Sequence, residues 1–319
     1  MTRWLITGAR GLLGRELLPA LERAGQPYVA LGHEELDVAD PRAVRAAMTA
    51  HRPGVVVNAA AYTDVDGAES EPARALRVNG DGPRRLAGAC GDFGSLLVQV
   101  STDYVFPGEA RTPYPEDARP EPLSTYGRTK LEGERAVLQL LPWTGYVVRT
   151  AWLYGSGGNG FVGTLIRLER EREYVDVADG QCGQPTWSAD AAGQIVALGR
   201  AALHGTADPG IYHATSGGGC TRVELAREVF RLLGADPARI RPVPGAFFAT
   251  PARRPPYSVL GHDRWNATGV GAIRDWREAL REAFPAVRGV AGPLSVALPV
   301  PASVAASVPA SVAASASHQ

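Results

Sequence analysis

The sequence predicts an α/β fold built on a doubly wound parallel sheet, followed by a smaller C-terminal lobe. Three observations predict it. Short apolar runs alternate with longer amphipathic segments from the N-terminus onward. A glycine triplet separates the first apolar run from the first amphipathic segment. After about residue 150 the alternation loosens into stretches rich in glycine and proline. At 319 residues the chain is long enough for one large domain or two smaller ones, with a sizeable core.

Trp4-Leu5-Ile6, Tyr28–Leu31, Val55–Val57, Leu96–Val98 and Tyr146–Val148 are the candidate strands. Runs this short and this apolar suit parallel strands buried on both faces. Leu13, Leu17 and Leu21 recur at helical spacing behind the first strand. Asp40-Pro41 reads as an N-cap with proline at the first helical position, and Ser70-Glu71-Pro72 reads similarly. Strand–helix–strand alternation joined by right-handed crossovers makes a doubly wound sheet. Residues 1–150 are therefore expected to form the sheet domain, and 151–288 mainly a second lobe that can interleave with it. Helical stretches are expected near 161–172, 188–203, 221–234 and 272–283, between Gly/Pro clusters at 155–160, 180–185, 205–219 and 242–256.

From Gly289 to Gln319 only His318 can carry charge. Prolines interrupt the stretch, and VPASVAAS at 300–307 recurs at 308–315. A membrane span needs about 20 predominantly apolar residues. This serine-rich repeat reads instead as a low-complexity, disordered tail.

Formal net charge is zero and the pI is near 7, so no field of one sign draws the chain to nucleic acid or a membrane surface. Cys90, Cys182 and Cys220 lie far apart and form no C-x-x-C pair. That argues against a zinc site or a disulfide framework and fits a reducing cytoplasm, as does an N-terminus without a signal-peptide pattern.

Gly8, Gly11 and Gly14 in LITGARGLLGRELL directly follow the first strand and open a helix. Such glycines let the backbone turn tightly and approach a pyrophosphate, which the helix N-terminus then binds. The context predicts a Rossmann-type dinucleotide site. The second strand ends Leu31-Gly32-His33, with no acid at its tip for the ribose 2′-hydroxyl of NAD. Arg10 inside the loop could instead meet a 2′-phosphate, which favours NADPH over NADH. Asp37 is placed at the sheet edge, either to accept from adenine or to cap backbone N–H groups. Ala59, Ala60 and Ala61 after the third strand are small enough for a cofactor to lie on the backbone.

Lys130 is the only lysine in the chain, against 32 arginines. It follows Tyr126 at i+4, so on a helix the two share a face. A free tyrosine pKa near 10 is too high for efficient acid catalysis near pH 7, and a nearby ammonium lowers it. Lysine also offers a compact charge with three donors, a geometry that arginine's planar fork does not reproduce. Ser101 and Thr102 stand at the C-terminal end of the Leu96–Val98 strand, where open α/β sheets bind ligands. A hydroxyl there can bond both a substrate carbonyl and the tyrosine oxygen.

These segments, in order, resemble the dTDP-4-dehydrorhamnose reductases of the extended short-chain dehydrogenase/reductase family, from residue 2 to about 283. They include TGARGLLG, ELDVAD, VVNAAAYTDVDGAES, STDYVFPG, STYGRTKLEGE, VVRTAWLYG, DGQCGQPTWSAD and RRPPYSVL. The resemblance implies reduction of the C4 keto group of a dTDP-4-dehydro-6-deoxy-L-hexose, foremost dTDP-4-dehydro-L-rhamnose to dTDP-L-rhamnose. It implies Tyr126 as proton donor, Lys130 as the group that tunes it and binds the nicotinamide ribose, and Thr102 as the orienting hydroxyl. It also implies that Gly11, Leu12, Leu13, Asp37, Val38, Ala60, Ala61 and Tyr62 line the cofactor. Thr102, Asp103 and Trp152 would touch the sugar nucleotide. Arg10 stands where family members often have Asn, and Asp179-Gly180-Gln181 replaces a more usual Asp-Asp-Gln. Some relatives bind Mg2+ at a homodimer interface, but no ligand spacing for it shows here, so the metal and the dimer stay open. Alternatives are a keto-sugar reductase of an antibiotic pathway such as that of dihydrostreptose, a nucleotide-sugar dehydratase or epimerase, and a non-catalytic NADP-binding regulatory subunit. Tyr104, where dehydratases of this type carry Glu, weighs against elimination chemistry.

Overall fold

The computed structural model describes residues 2–156, 160–290 and 304–306. Five strands form where the apolar runs predict them: β1 (Trp4–Thr7), β2 (Tyr28–Leu31), β3 (Val55–Asn58), β4 (Leu96–Thr102) and β5 (Gly145–Thr150). A sixth, Gly210–His213, joins them, and the sheet order is Gly210–His213, β5, β4, β3, β1, β2. Every pairing in it is parallel. Strand order reverses at β1, so the loops after β1, β3 and β4 open into one crevice at the strands' C-terminal ends.

Each β1, β3 and β5 residue is buried, as a sheet covered on both faces requires. The helix α1 (Leu12–Arg23) buries Leu13, Leu17 and Leu21 against it. Asp40 caps the Pro41–His51 helix as expected, accepting from Arg42 N–H at 2.8 Å. Ser70 caps nothing downstream. Its hydroxyl donates back to the Gly67 carbonyl, and Glu71 precedes the Pro72–Leu76 helix without capping it through its side chain.

The chain beyond residue 150 contributes to both halves. The Ser188–Leu203 helix packs on α1, and Ile195 and Leu198 share a core with Leu17 and Leu21. Gly199 permits this, because a Cβ there would lie 2.3 Å from the Trp4 ring. A second core gathers Val175, Val177 and Ile240 with the Phe161–Glu171, Arg222–Leu233 and Trp276–Val290 helices. Its strands Val175–Ala178 and Ile240–Val243 run parallel. The last helix starts and ends later than its sequence pattern suggests: Asp275 accepts from Arg277 N–H at 2.8 Å, and Val287 is still buried in the lobe core. Of the expected tail from 289, Gly289 and Val290 complete that helix, and Val304–Ala306 pairs antiparallel with Val175–Ala178. The rest of it lies outside the described residues.

Candidate active site

The glycine loop is shaped by close approach. Gly8 has φ 63°, and a Cβ on it would come within 2.6 Å of the Ala60 backbone nitrogen. Only glycine fits a left-handed turn pressed on the loop after β3. Gly11 is the extended residue before α1 and brings no side-chain cap, so the first-turn N–H groups are left for an anion. Gly14 does not line the cavity as a cofactor contact should. A Cβ there would stand 2.2 Å from the Gly8 carbonyl oxygen, so its role is to let α1 pack on the loop.

At the end of β2 the structure adds partners and corrects one expectation. Arg10 lines the cavity and donates to Glu34 at 2.6 Å and to Glu35. An acid does stand at the strand tip, because Glu35 folds back and accepts from Gly32 N–H at 2.9 Å. Asp37 acts as a turn cap, accepting from Ala39 N–H at 2.8 Å, and pairs with Arg77 at 3.4 Å.

Tyr126 and Lys130 lie on the Thr125–Leu140 helix, which Ser124 caps by accepting from Gly127 N–H at 3.1 Å. That helix sits hard against the loop after β4: a Cβ on Gly127 would be 2.2 Å from the Tyr104 carbonyl oxygen. The approach carries the half-buried Tyr126 phenol to Thr102, whose hydroxyl is hydrogen-bonded to it. Thr102 also donates to Asp103 at 3.1 Å, and Ser258 donates to the other Asp103 oxygen at 2.6 Å. Burial lifts the Asp103 carboxyl to about 6, against the Ser258 and Thr102 bonds and the Arg222 charge.

The Tyr126 phenol is not lowered as an adjacent ammonium would lower it. Burial pushes it well above the ordinary tyrosine value; the Thr102 bond opposes this, and the Asp103 and Tyr104 charges add to it. The reason lies in Lys130, which is 4% exposed and donates to the Val100 carbonyl at 2.6 Å. Burial brings the lysine itself down to about 8, with Glu134 opposing.

Every expected cofactor and substrate residue except Gly14 lines one cavity of about 780 Å³, from Gly8 and Arg10 at the glycine loop to Trp152. The family model described as the RmlD substrate binding domain matches residues 2–288. The chain belongs to that family. A dTDP-4-dehydrorhamnose reductase of Streptomyces griseus is 59% identical over 290 residues, covering 91% of this chain and 95% of the relative. A probable dTDP-4,6-dihydroxy-2-methyloxan-3-one 4-ketoreductase of Streptomyces antibioticus is 55% identical, covering 91% of this chain and 97% of its own length. The crystal structure of dTDP-4-dehydrorhamnose reductase from Bacillus anthracis in complex with NADP superposes with a TM-score of 0.84 at 36% identity. It covers 89% of this chain and 99% of that one.

For several members of the site, sequence motifs do not reveal the role. Asn79 lies in a π-helical turn, Arg77–Asp81, and braces the cavity wall: it accepts from Tyr62 N–H at 2.9 Å and donates to the Thr129 hydroxyl at 3.2 Å. A buried chain of hydrogen bonds runs from Thr7 through Asn58 and Gln99 to the Val100 carbonyl that holds Lys130. Ser258 and Arg222 come from the second lobe, far along the chain from Asp103. Among the described residues no cluster of three or more His, Cys, Asp or Glu could hold a metal, and no helix is long and apolar enough to cross a membrane.

Proposed function

We propose that the protein reduces the C4 keto group of a dTDP-4-dehydro-6-deoxy-L-hexose, converting dTDP-4-dehydro-L-rhamnose to dTDP-L-rhamnose, with NADPH as the reductant. The observation that carries this is the meeting of Thr102, Tyr126 and Lys130 in the one cavity that also holds the glycine loop. The loop fits a dinucleotide: Gly8 lets it turn tightly against the loop after β3, Gly14 lets α1 pack on it, and the first turn of α1 faces an anion with free N–H groups. Gly11, Leu12 and Leu13 would hold the pyrophosphate, and Ala59–Ala61 and Tyr62 the adenosine and nicotinamide halves. When bound, NADPH supplies the hydride.

The chain's own residues then do the following. The half-buried phenol of Tyr126 stays protonated near pH 7 and is held to donate its O–H proton to the keto oxygen as that oxygen becomes a hydroxyl. Thr102, set between Asp103 and Tyr126, would turn its single O–H proton from Asp103 to the same oxygen when the substrate is bound. Lys130, held on the Val100 carbonyl at the cavity wall, would bind the nicotinamide ribose. Tyr104 packs edge-on to Tyr126 at 5.9 Å and supplies no acid, which disfavours a dehydratase. Cys90, Cys182 and Cys220 are free thiols, which supports a reducing, cytoplasmic setting.

Incubation with dTDP-4-dehydro-L-rhamnose and NADPH, followed by NMR of the product, tests this reading. NADPH consumption with appearance of dTDP-L-rhamnose is expected; no NADPH oxidation would refute it.

A further inference from the structure

Arg222 opens the Arg222–Leu233 helix and places its guanidinium in the wall of the cavity. Its Cζ lies 3.5 Å from the centroid of the Trp152 ring and 4.9 Å from that of Phe161. The Nε is buried without a hydrogen-bond partner. Among the described residues no carboxylate forms an ion pair with it. Asp103 is near enough to act on it through charge, yet the Asp103 oxygens are taken by the Thr102 and Ser258 hydroxyls. Arg254, which also feels Tyr104, differs: it is paired with Asp66 at 2.6 Å.

Two costly features hold this stacking contact together. Trp152 adopts φ 44°, a left-handed backbone that bulky residues rarely take. Its indole lies against Gly183, where a Cβ would come within 2.6 Å of the ring. A strained tryptophan and a required glycine thus combine to seat a stacked arginine. A half-buried cation with a buried, unpartnered Nε and no ion-paired carboxylate suits a site completed by an anionic ligand.

We propose that Arg222 is the counter-ion for the diphosphate of the nucleotide sugar, and that the contact with Trp152 and Phe161 fixes its fork toward that group. This rests on the dTDP-sugar reading above. The diphosphate is that substrate's only anionic group, and arginine's planar fork meets phosphate oxygens in pairs. The cofactor's own pyrophosphate is served by the glycine loop, so the two anions have separate partners.

The test is calorimetric titration of dTDP and of thymidine into protein saturated with NADP+, for wild type, Arg222→Gln and Arg222→Lys. Wild type should bind dTDP far more tightly than thymidine. Arg222→Gln should weaken dTDP about 10- to 100-fold and leave thymidine and NADP+ unchanged. Arg222→Lys should fall between them, and KM for the nucleotide sugar should follow the same order with kcat changing less. Wild-type affinity for dTDP in Arg222→Gln would overturn the proposal. So would equal weakening of dTDP and thymidine, which would make Arg222 a prop for Trp152. Failure of wild type to bind dTDP at all would instead overturn the substrate reading, and this inference with it.

Discussion

Replacing Lys130 with methionine should stabilise the cofactor-free protein while crippling turnover. The lysine is 4% exposed, and burial brings its pKa from 10.5 to about 8. Each pKa unit is ~1.4 kcal/mol, so keeping this ammonium charged near pH 7 costs the fold roughly 3 kcal/mol. Methionine removes that cost and fills similar space. It also removes the bond to the Val100 carbonyl, worth about 1 kcal/mol, although that carbonyl still accepts from Gln99 at 2.8 Å. The net gain is about 2 kcal/mol, or roughly 3 °C in Tm for a domain of this size. The pH dependence supplies the control. Between about pH 8 and 10.5 the unfolded lysine keeps a proton that the folded one has shed, so this group's contribution to wild-type stability rises with pH across that window. The advantage of Lys130→Met should therefore be full below about pH 8 and should shrink toward zero by about pH 10.5. Thermal melts of both proteins without nucleotide, near pH 7 and near pH 10, read it directly. A variant that melts at or below wild type near pH 7, or a gap that does not close with rising pH, would refute the reasoning.

Tyr126→Phe should lower kcat by about 10²-fold or more while NADP+ affinity, read by fluorescence titration, stays near wild type, because only the proton donor is lost. Gly14→Ala sets a Cβ 2.2 Å from the Gly8 carbonyl oxygen, so urea unfolding should show a loss of about 1–3 kcal/mol, and cofactor binding should weaken with it. His213 is buried, and that burial, with the Arg149 charge, holds it down at about 3. The unfolded histidine takes up a proton below about pH 6.5 that the folded one refuses, so stability should fall from there toward pH 3. His213→Gln should flatten that acid limb by about one proton, measured as the slope of unfolding free energy against pH.

Much of this site was legible in local patterns. The Trp4–Ile6 and Val55–Val57 runs announce buried strands because every residue is apolar, and Asp40-Pro41 announces a helix because capping is settled within three residues. Tyr126 and Lys130 meet on one face because helical spacing alone dictates it. Gly210–His213 was hidden in a glycine- and proline-rich stretch, since a four-residue edge strand is defined by its pairing with β5 rather than by its own composition.

Local order, then, determined the elements, the glycine loop and the identity of the proton-delivery pair. Tertiary structure decided what those residues face. Arg10 meets Glu34 and Glu35 only because the turn after β2 folds back on the glycine loop. Lys130 finds the Val100 carbonyl, 30 residues earlier, because its helix packs against β4. The phenol is raised rather than lowered because burial, a property of the whole fold, outweighs a neighbour at i+4 whose charge is directed elsewhere. Arg222 joins Trp152 only when the second lobe folds back over the sheet edge. Such pairings depend on distance in space between residues remote in the chain, and that is the information periodicity and spacing do not contain.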